Sequence, residues 1–120
     1  EPGARAFAKI VGRFGFRCTP VTVEGCLHLK SVVNYLGDGW MAVDERYEGL
    51  SFLGPYRLAR IPAIEEYAAN CIRINDRVII PDGFPASRKV IESAGLETVT
   101  VEMSEFMKMD GGVSCLSLRF

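Results

Sequence analysis

The sequence predicts an α+β fold built from about two strand–strand–helix–strand units. Three observations carry this. The tetrapeptide Val21-Thr22-Val23-Glu24 recurs as Val99-Thr100-Val101-Glu102. Each copy follows a helix-like segment, a glycine (Gly15, Gly95) and a large apolar residue (Phe16, Leu96). Two hairpin-like stretches, VVNYLGDGWMAVDE at 32–45 and NCIRINDRVIIPDG at 70–83, match in shape. Recurrence of one element order is the mark of a repeat architecture.

The elements follow in order. Residues 3–14 place Ala6, Ile10, Val11 and Phe14 near helical spacing, and Gly15 ends that helix. FRCTPVTVE at 16–24 is rich in β-branched residues and reads as a strand, with Pro20 implying an edge or a bulge. Leu27 to Leu36 is a second strand. Gly37-Asp38-Gly39 turns the chain back through WMAVD at 40–44 as a hairpin. Residues 45–66, with Gly49, Gly54, Pro55 and Pro62, form a connection with a short strand near Tyr56 to Ile61.

ANCIRI (69–74) and RVIIPD (77–82) are strands around an Asn75-Asp76 turn. Pro85 to Ala94 is a helix with proline near its start and Gly95 after its end. LETVTVEM (96–103) is a strand, SEFMKMDGG (104–112) carries turns, and VSCLSLRF (113–120) is the last strand. The units are roughly 1–44 and 67–120, joined by 45–66, within a single partial domain spanning 1–120.

The 120 residues suit one domain, and at 48% hydrophobic and 24% charged they can bury a core. Fourteen basic against fifteen acidic residues leave a net charge of −1, so neither nucleic acid nor an anionic membrane is an expected partner. No apolar run approaches the ~20 residues of a membrane span. There is no signal-peptide pattern, and the chain opens without methionine at Glu1-Pro2-Gly3, as a processed chain, a truncated one or a piece of something longer would. Repeat units bury their faces on one another, and about three are needed for a stable stack. Two units therefore imply a homodimer or a longer protein.

The cysteines are Cys18, Cys26, Cys71 and Cys115, and His28 is the single histidine. No Cys-x-x-Cys pair occurs, so no metal site is expected. Cys18, Cys26 and Cys71 read as small buried hydrophobes in a reducing cytoplasm. Cys115 and His28 stand 87 positions apart. On spacing alone a packed thiol and a polar strand histidine outweigh a catalytic pair. Side-by-side repeats would nevertheless bring them close, and a nucleophilic thiolate needs such a base.

The motifs around them shift that balance. His28 lies in GCLHLKS, and Cys115 in MDGGVSCLSLRF. These resemble the C-terminal half of the dimethylarginine dimethylaminohydrolases, members of the guanidine-modifying five-bladed propeller (pentein) superfamily. EYAANCIRIN, the Pro-Asp-Gly-Phe-Pro turn and the Ser-Glu-Phe approach to the last strand are also similar to that family. The resemblance covers essentially the whole chain. It implies a partial α/β-propeller fold and a hydrolase of N-ω-methylated arginine that needs no cofactor.

By the same resemblance Cys115 is the nucleophile and His28 the general acid/base. The backbone carbonyls of Leu27 and Met109 receive substrate nitrogens, and Asp110 matches an acid of that loop. A turn-forming role for Asp110 weighs equally. Gly111 and Gly112 suit a close backbone approach to a ligand. The family's guanidinium-clamping carboxylates and third catalytic acid come from an N-terminal half, in the same or a second chain. Glu24, Asp38 and Asp44 lie near His28 in sequence but read as solvated strand ends or turns, as does the pair Glu65-Glu66. Rival readings are an arginine deiminase-like hydrolase of free arginine or another guanidine, a non-catalytic propeller-type binding module, and an orphan half that dimerises through open sheet edges.

Overall fold

The chain turns back on itself at two hairpins whose tips use residues that tolerate left-handed backbone. In the computed structural model, which describes residues 2–118, Asp38 (φ 51°) and Gly39 (φ 78°) form the first tip and Asn75 (φ 56°) occupies the second. The elements in chain order are α1 (Pro2–Gly12), α2 (Leu29–Val32), β1 (Val33–Gly37), β2 (Trp40–Asp44), β3 (Arg57–Ile61), β4 (Ile72–Ile74), β5 (Arg77–Pro81), α3 (Pro85–Ser93), β6 (Glu97–Val101) and α4 (Ser104–Met107).

Strands β1 and β2 pair antiparallel, with a register irregularity between Tyr35 and Gly37, and β3 joins β2 in parallel. Strands β4, β5 and β6 repeat that arrangement. The result is two three-stranded mixed sheets of identical order, β1-β2-β3 and β4-β5-β6. A parallel neighbour requires a crossover. In the second sheet the crossover is α3; in the first it contains two short 3-10 turns, Glu45–Tyr47 and Ser51–Leu53. The first sheet thus spans 33–61, reaching past residue 44 into the segment read as a connection.

One core joins the two sheets. Leu36, Ala42, Ala59 and Ile61 meet Val78 and Ile80 across it, together with Ile91 of α3 and Leu96. Ala68, Ala69 and Cys71 enter the same core from the 3-10 stretch Ala63–Ala69 and its exit. Val32, Val33, Val43 and Leu53 form a second, smaller cluster.

Helices α1 and α3 form as their signals direct. After α1, Phe16 N–H donates to Val11 O at 3.2 Å and Gly15 N–H to Gly12 O at 3.1 Å, with Gly15 at φ 80°. That is a Schellman ending, which needs glycine at the left-handed position. None of the residues of α1 is buried, and Phe7, Ile10 and Phe14 are 59%, 54% and 74% exposed.

Two predicted strands are not strands, and a third is one only in its second half. Residues 16–24 have no regular structure, although the second Val-Thr-Val copy lies in β6. Residues 29–32 of the expected Leu27–Leu36 strand wind into α2 before β1 begins. Residues 113–116 form turns, with Cys115 N–H and Leu116 N–H both donating to Gly112 O; 119 and 120 lie outside the described residues. In each case β-branched or alternating composition lacked what a strand requires, a partner for its backbone groups.

Two acids read as solvated are built into the fold. Asp44 is fully buried; it accepts Arg46 N–H at 3.0 Å and is paired with the Arg46 guanidinium. A buried carboxylate must be so compensated. Glu65 accepts from Ala86 N, Ser87 N and Ser87 Oγ, so it caps α3 from twenty-odd residues upstream.

Candidate functional site

Of the four thiols, Cys71 is buried, Cys18 and Cys26 are half-buried, and Cys115 alone is exposed. Burial pushes the Cys71 thiol up to about 12, which makes it inert. Cys115 sits in the turn that follows Gly112, its N–H donating to Gly112 O at 3.0 Å.

That turn is held from outside by the Ala63–Ala69 stretch and its exit. Asn70 Oδ1 accepts the Ser114 N–H at 3.0 Å, and Tyr67 Oη donates to Gly111 O at 2.5 Å. Gly112 is buried, and a Cβ there would collide with the Asn70 side-chain amide. The close approach that Gly112 permits is therefore to Asn70, inside the protein. A Cβ on Gly111 would stand 3.1 Å from Phe106 O, so that glycine also meets protein. Burial first, then the neighbouring Cys115 thiol and Glu102, push the Tyr67 phenol above its ordinary value.

His28 is exposed and immediately precedes α2, and its carbonyl accepts the Ser31 N–H at 3.0 Å. Helix α2 is tied inward by Asn34, whose Nδ2 donates to Lys30 O and to Ala69 O, both at 2.7 Å. Lys30 and Asn34 then share the wall of one cavity, of about 390 Å³, with Cys71, Arg73, Ser114 and Ser117. The structure thus brings the flank of His28 and the flank of Cys115 to one place. No hydrogen bond joins the His28 ring to the Cys115 thiol among the described residues.

Leu27 (79%) and Met109 (84%) are strongly exposed, and Asp110 is an exposed turn residue at φ 57°. Asp38 pairs with Arg73, and Asp44 with Arg46. No group of three or more potential metal ligands occurs among the described residues. Tyr67, Asn34 and Asn70 escaped the reading by residue type. The available signal was a lone amide inside an apolar run, in SVVNYL and AANCI, since a polar residue there is informative when buried.

No family model matches the chain. It is 39% identical over 118 residues to the N(G),N(G)-dimethylarginine dimethylaminohydrolase of Pseudomonas aeruginosa, covering 98% of this chain and 46% of that protein. It is 33% identical over 106 residues to the enzyme of the same name from Streptomyces coelicolor, covering 88% of this chain and 40% of that one.

Among solved structures, a cysteine-to-serine variant of the Pseudomonas aeruginosa protein complexed with citrulline superposes with a TM-score of 0.93 at 38% identity, over 98% of this chain and 46% of that one. A histidine-to-glycine dimethylarginine dimethylaminohydrolase, as an adduct with S-methyl-L-thiocitrulline, gives 0.94 at 38% identity over the same shares. An inosamine-phosphate amidinotransferase of Streptomyces griseus shares the fold alone, at TM-score 0.79 and 15% identity, over 96% of this chain and 38% of that one. The two small sheets are thus part of the propeller common to these guanidine-modifying proteins. The chain spans about half the length of the curated relatives it matches. Sequence and fold agree that this chain is similar, over its own length, to about half of a dimethylarginine dimethylaminohydrolase.

Proposed function

We propose that this chain supplies the nucleophile, Cys115, and the general acid/base, His28, of a hydrolase that converts N-ω-methylated arginine to citrulline and a methylamine. The observation that carries this reading is the exposure of Cys115 alone among four thiols, on a turn pinned to the protein interior. The motifs around both residues support it. The cysteine replaced in one related structure and the histidine replaced in the other stand 87 positions apart in the numbering of those structures, the separation of Cys115 from His28.

In this reading the Cys115 thiolate attacks the central guanidinium carbon and forms a C–S bond. His28, as imidazolium, gives its proton to the departing methylamine as the C–N bond breaks, leaving a thiouronium on Cys115. Neutral His28 then takes a proton from water as the water oxygen attacks the same carbon. The C–S bond breaks, and citrulline and the thiolate are released. Splitting one difficult displacement into two steps is the advantage of covalent catalysis.

The Leu27 and Met109 carbonyls receive the guanidinium nitrogens, with Asp110 beside them. A cationic substrate needs opposite charge to hold it. Asp44 is committed to Arg46 and Glu65 to α3. By the family resemblance the clamping carboxylates and third acid come from an N-terminal half, in the same polypeptide or a second one, so this chain alone is inactive. No helix among the described residues is long and apolar enough to cross a membrane. Four unpaired thiols fit a reducing compartment such as the cytoplasm.

Labelling with 2-chloroacetamidine, a guanidine-like thiol reagent, tests this reading. Mass spectrometry follows each of the four cysteines with and without His28→Ala. Cys115 is expected to react fastest and to slow in the variant. If it labels no faster than a free thiol, the activated-nucleophile reading is wrong.

A further inference from the structure

The two buried asparagines lie outside the chemistry just described, yet they touch both of its flanks. Asn34 is 9% exposed and Asn70 6%. Asn34 Nδ2 donates to Lys30 O in α2, the helix that starts beside His28, and to Ala69 O. The next residue along that backbone is Asn70, whose Oδ1 accepts the Ser114 N–H next to Cys115. Three hydrogen bonds of 2.7, 2.7 and 3.0 Å thus run from residue 30 to residue 114 through a single peptide unit, 69–70.

From this geometry we infer that Asn34 and Asn70 form a positioning clamp that sets the separation of His28 from Cys115. The inference rests on the functional reading above. Neither amide is a catalytic residue; each acts through the backbone of a neighbour. A buried amide that lost its partners would remain desolvated and unsatisfied, so the clamp has a single favourable geometry. The close contact of Gly112 with Asn70 removes room for the turn to slide. Tyr67 adds a second anchor at Gly111 O, four residues before Cys115.

A double-mutant cycle on the whole chain tests the clamp, with 2-chloroacetamidine labelling of Cys115 as the readout. The variants are Asn70→Ala, His28→Ala, their combination and Asn70→Asp; circular dichroism reports the fold of each. A misplacement of about 1 Å can cost on the order of 10²-fold, so Asn70→Ala is expected to slow Cys115 about 10- to 100-fold. His28→Ala should then have little further effect in the Asn70→Ala background, because the two losses are one loss. Asn70→Asp keeps the acceptor oxygen and should recover part of the rate. A merely structural asparagine would leave the His28 effect undiminished.

A folded Asn70→Ala that labels at the wild-type rate, or one in which His28→Ala costs as much as in the wild type, overturns the clamp while the nucleophile reading stands. A wild-type Cys115 no faster than a free thiol overturns both. If Asn70→Ala does not fold, amide exchange in the wild type decides. Ser114 N–H protected like the β5 amides supports the clamp, and free exchange there refutes it.

Discussion

Asn70 Oδ1 accepts the backbone N–H of Ser114 at 3.0 Å, a contact across 44 residues that joins the interior to the turn carrying the exposed thiol. The backbone–backbone hydrogen bonds of the turn are short-range, from Cys115 and Leu116 back to Gly112. Its place on the protein is therefore set by Asn70 and by Tyr67, not by strand pairing.

Gly112→Ala should disturb this junction more than Gly111→Ala. The added Cβ at 112 would run into the Asn70 amide, whereas at 111 it would stand 3.1 Å from Phe106 O. Overpacking of this kind costs about 1–3 kcal/mol. Urea denaturation should show the larger midpoint shift for Gly112→Ala, and equal shifts would contradict the geometry.

Glu65→Ala should destabilise α3 by about 1 kcal/mol, the usual cost of a lost cap. Burial opposes ionisation of this carboxyl, but hydrogen bonds from Ser87 Oγ, Ser87 N and Ala86 N hold it below the ordinary glutamate value. A carboxyl lowered on folding stabilises above its unfolded pKa, and that contribution is lost as pH falls through the folded value. Thermal unfolding should therefore separate wild type from Glu65→Ala at pH 7 and bring them together at strongly acid pH.

Asp44→Ala should cost clearly more than Asp38→Ala, although both acids form an ion pair. Asp44 is fully buried, and its Arg46 partner is 50% exposed; Asp38 is 76% exposed against Arg73. Removing the buried partner strips the cap at Arg46 N as well, a loss of about 1–3 kcal/mol. The exposed pair is worth about 0–1 kcal/mol. Chemical denaturation of the two variants gives the comparison directly, and a larger loss at Asp38 would overturn it.

Cys71 should make the fold sensitive to alkali. Its thiol is pushed up by burial to about 12. The unfolded thiol ionises first as pH rises, so the unfolded chain then binds fewer protons and stability falls. The slope from this group is about 1.4 kcal/mol per pH unit between the two values. Cys71→Ala should lower stability at pH 7 through the cavity it leaves, yet flatten the decline above pH 9. An unchanged slope would mean that the thiol is already accessible.

Local signals determined a good part of this protein from the sequence alone. The hairpin turns at Asp38-Gly39 and Asn75 require left-handed backbone, and only a few residue types adopt it cheaply. Helix α1 ends at Gly15 and α3 begins at Pro85 for equally local reasons. The family resemblance was carried by contiguous motifs around His28 and Cys115, and the comparisons support the family they suggested.

Only the tertiary structure decided the rest. FRCTPVTVE and VSCLSLRF have strand composition, but strand formation depends on a neighbour at hydrogen-bonding distance, which composition does not specify. The two Val-Thr-Val-Glu copies show it: Val99–Val101 pair with Ile79–Pro81, while the copy at 21–24 is irregular. The partners of Asp44, Glu65, Asn34 and Asn70 are equally invisible along the chain. A carboxylate or amide advertises its ability to bond, and the fold alone says with what. Residues 30, 34, 69, 70 and 114 meet because two sheets share one core. Burial makes those few hydrogen bonds costly to lose.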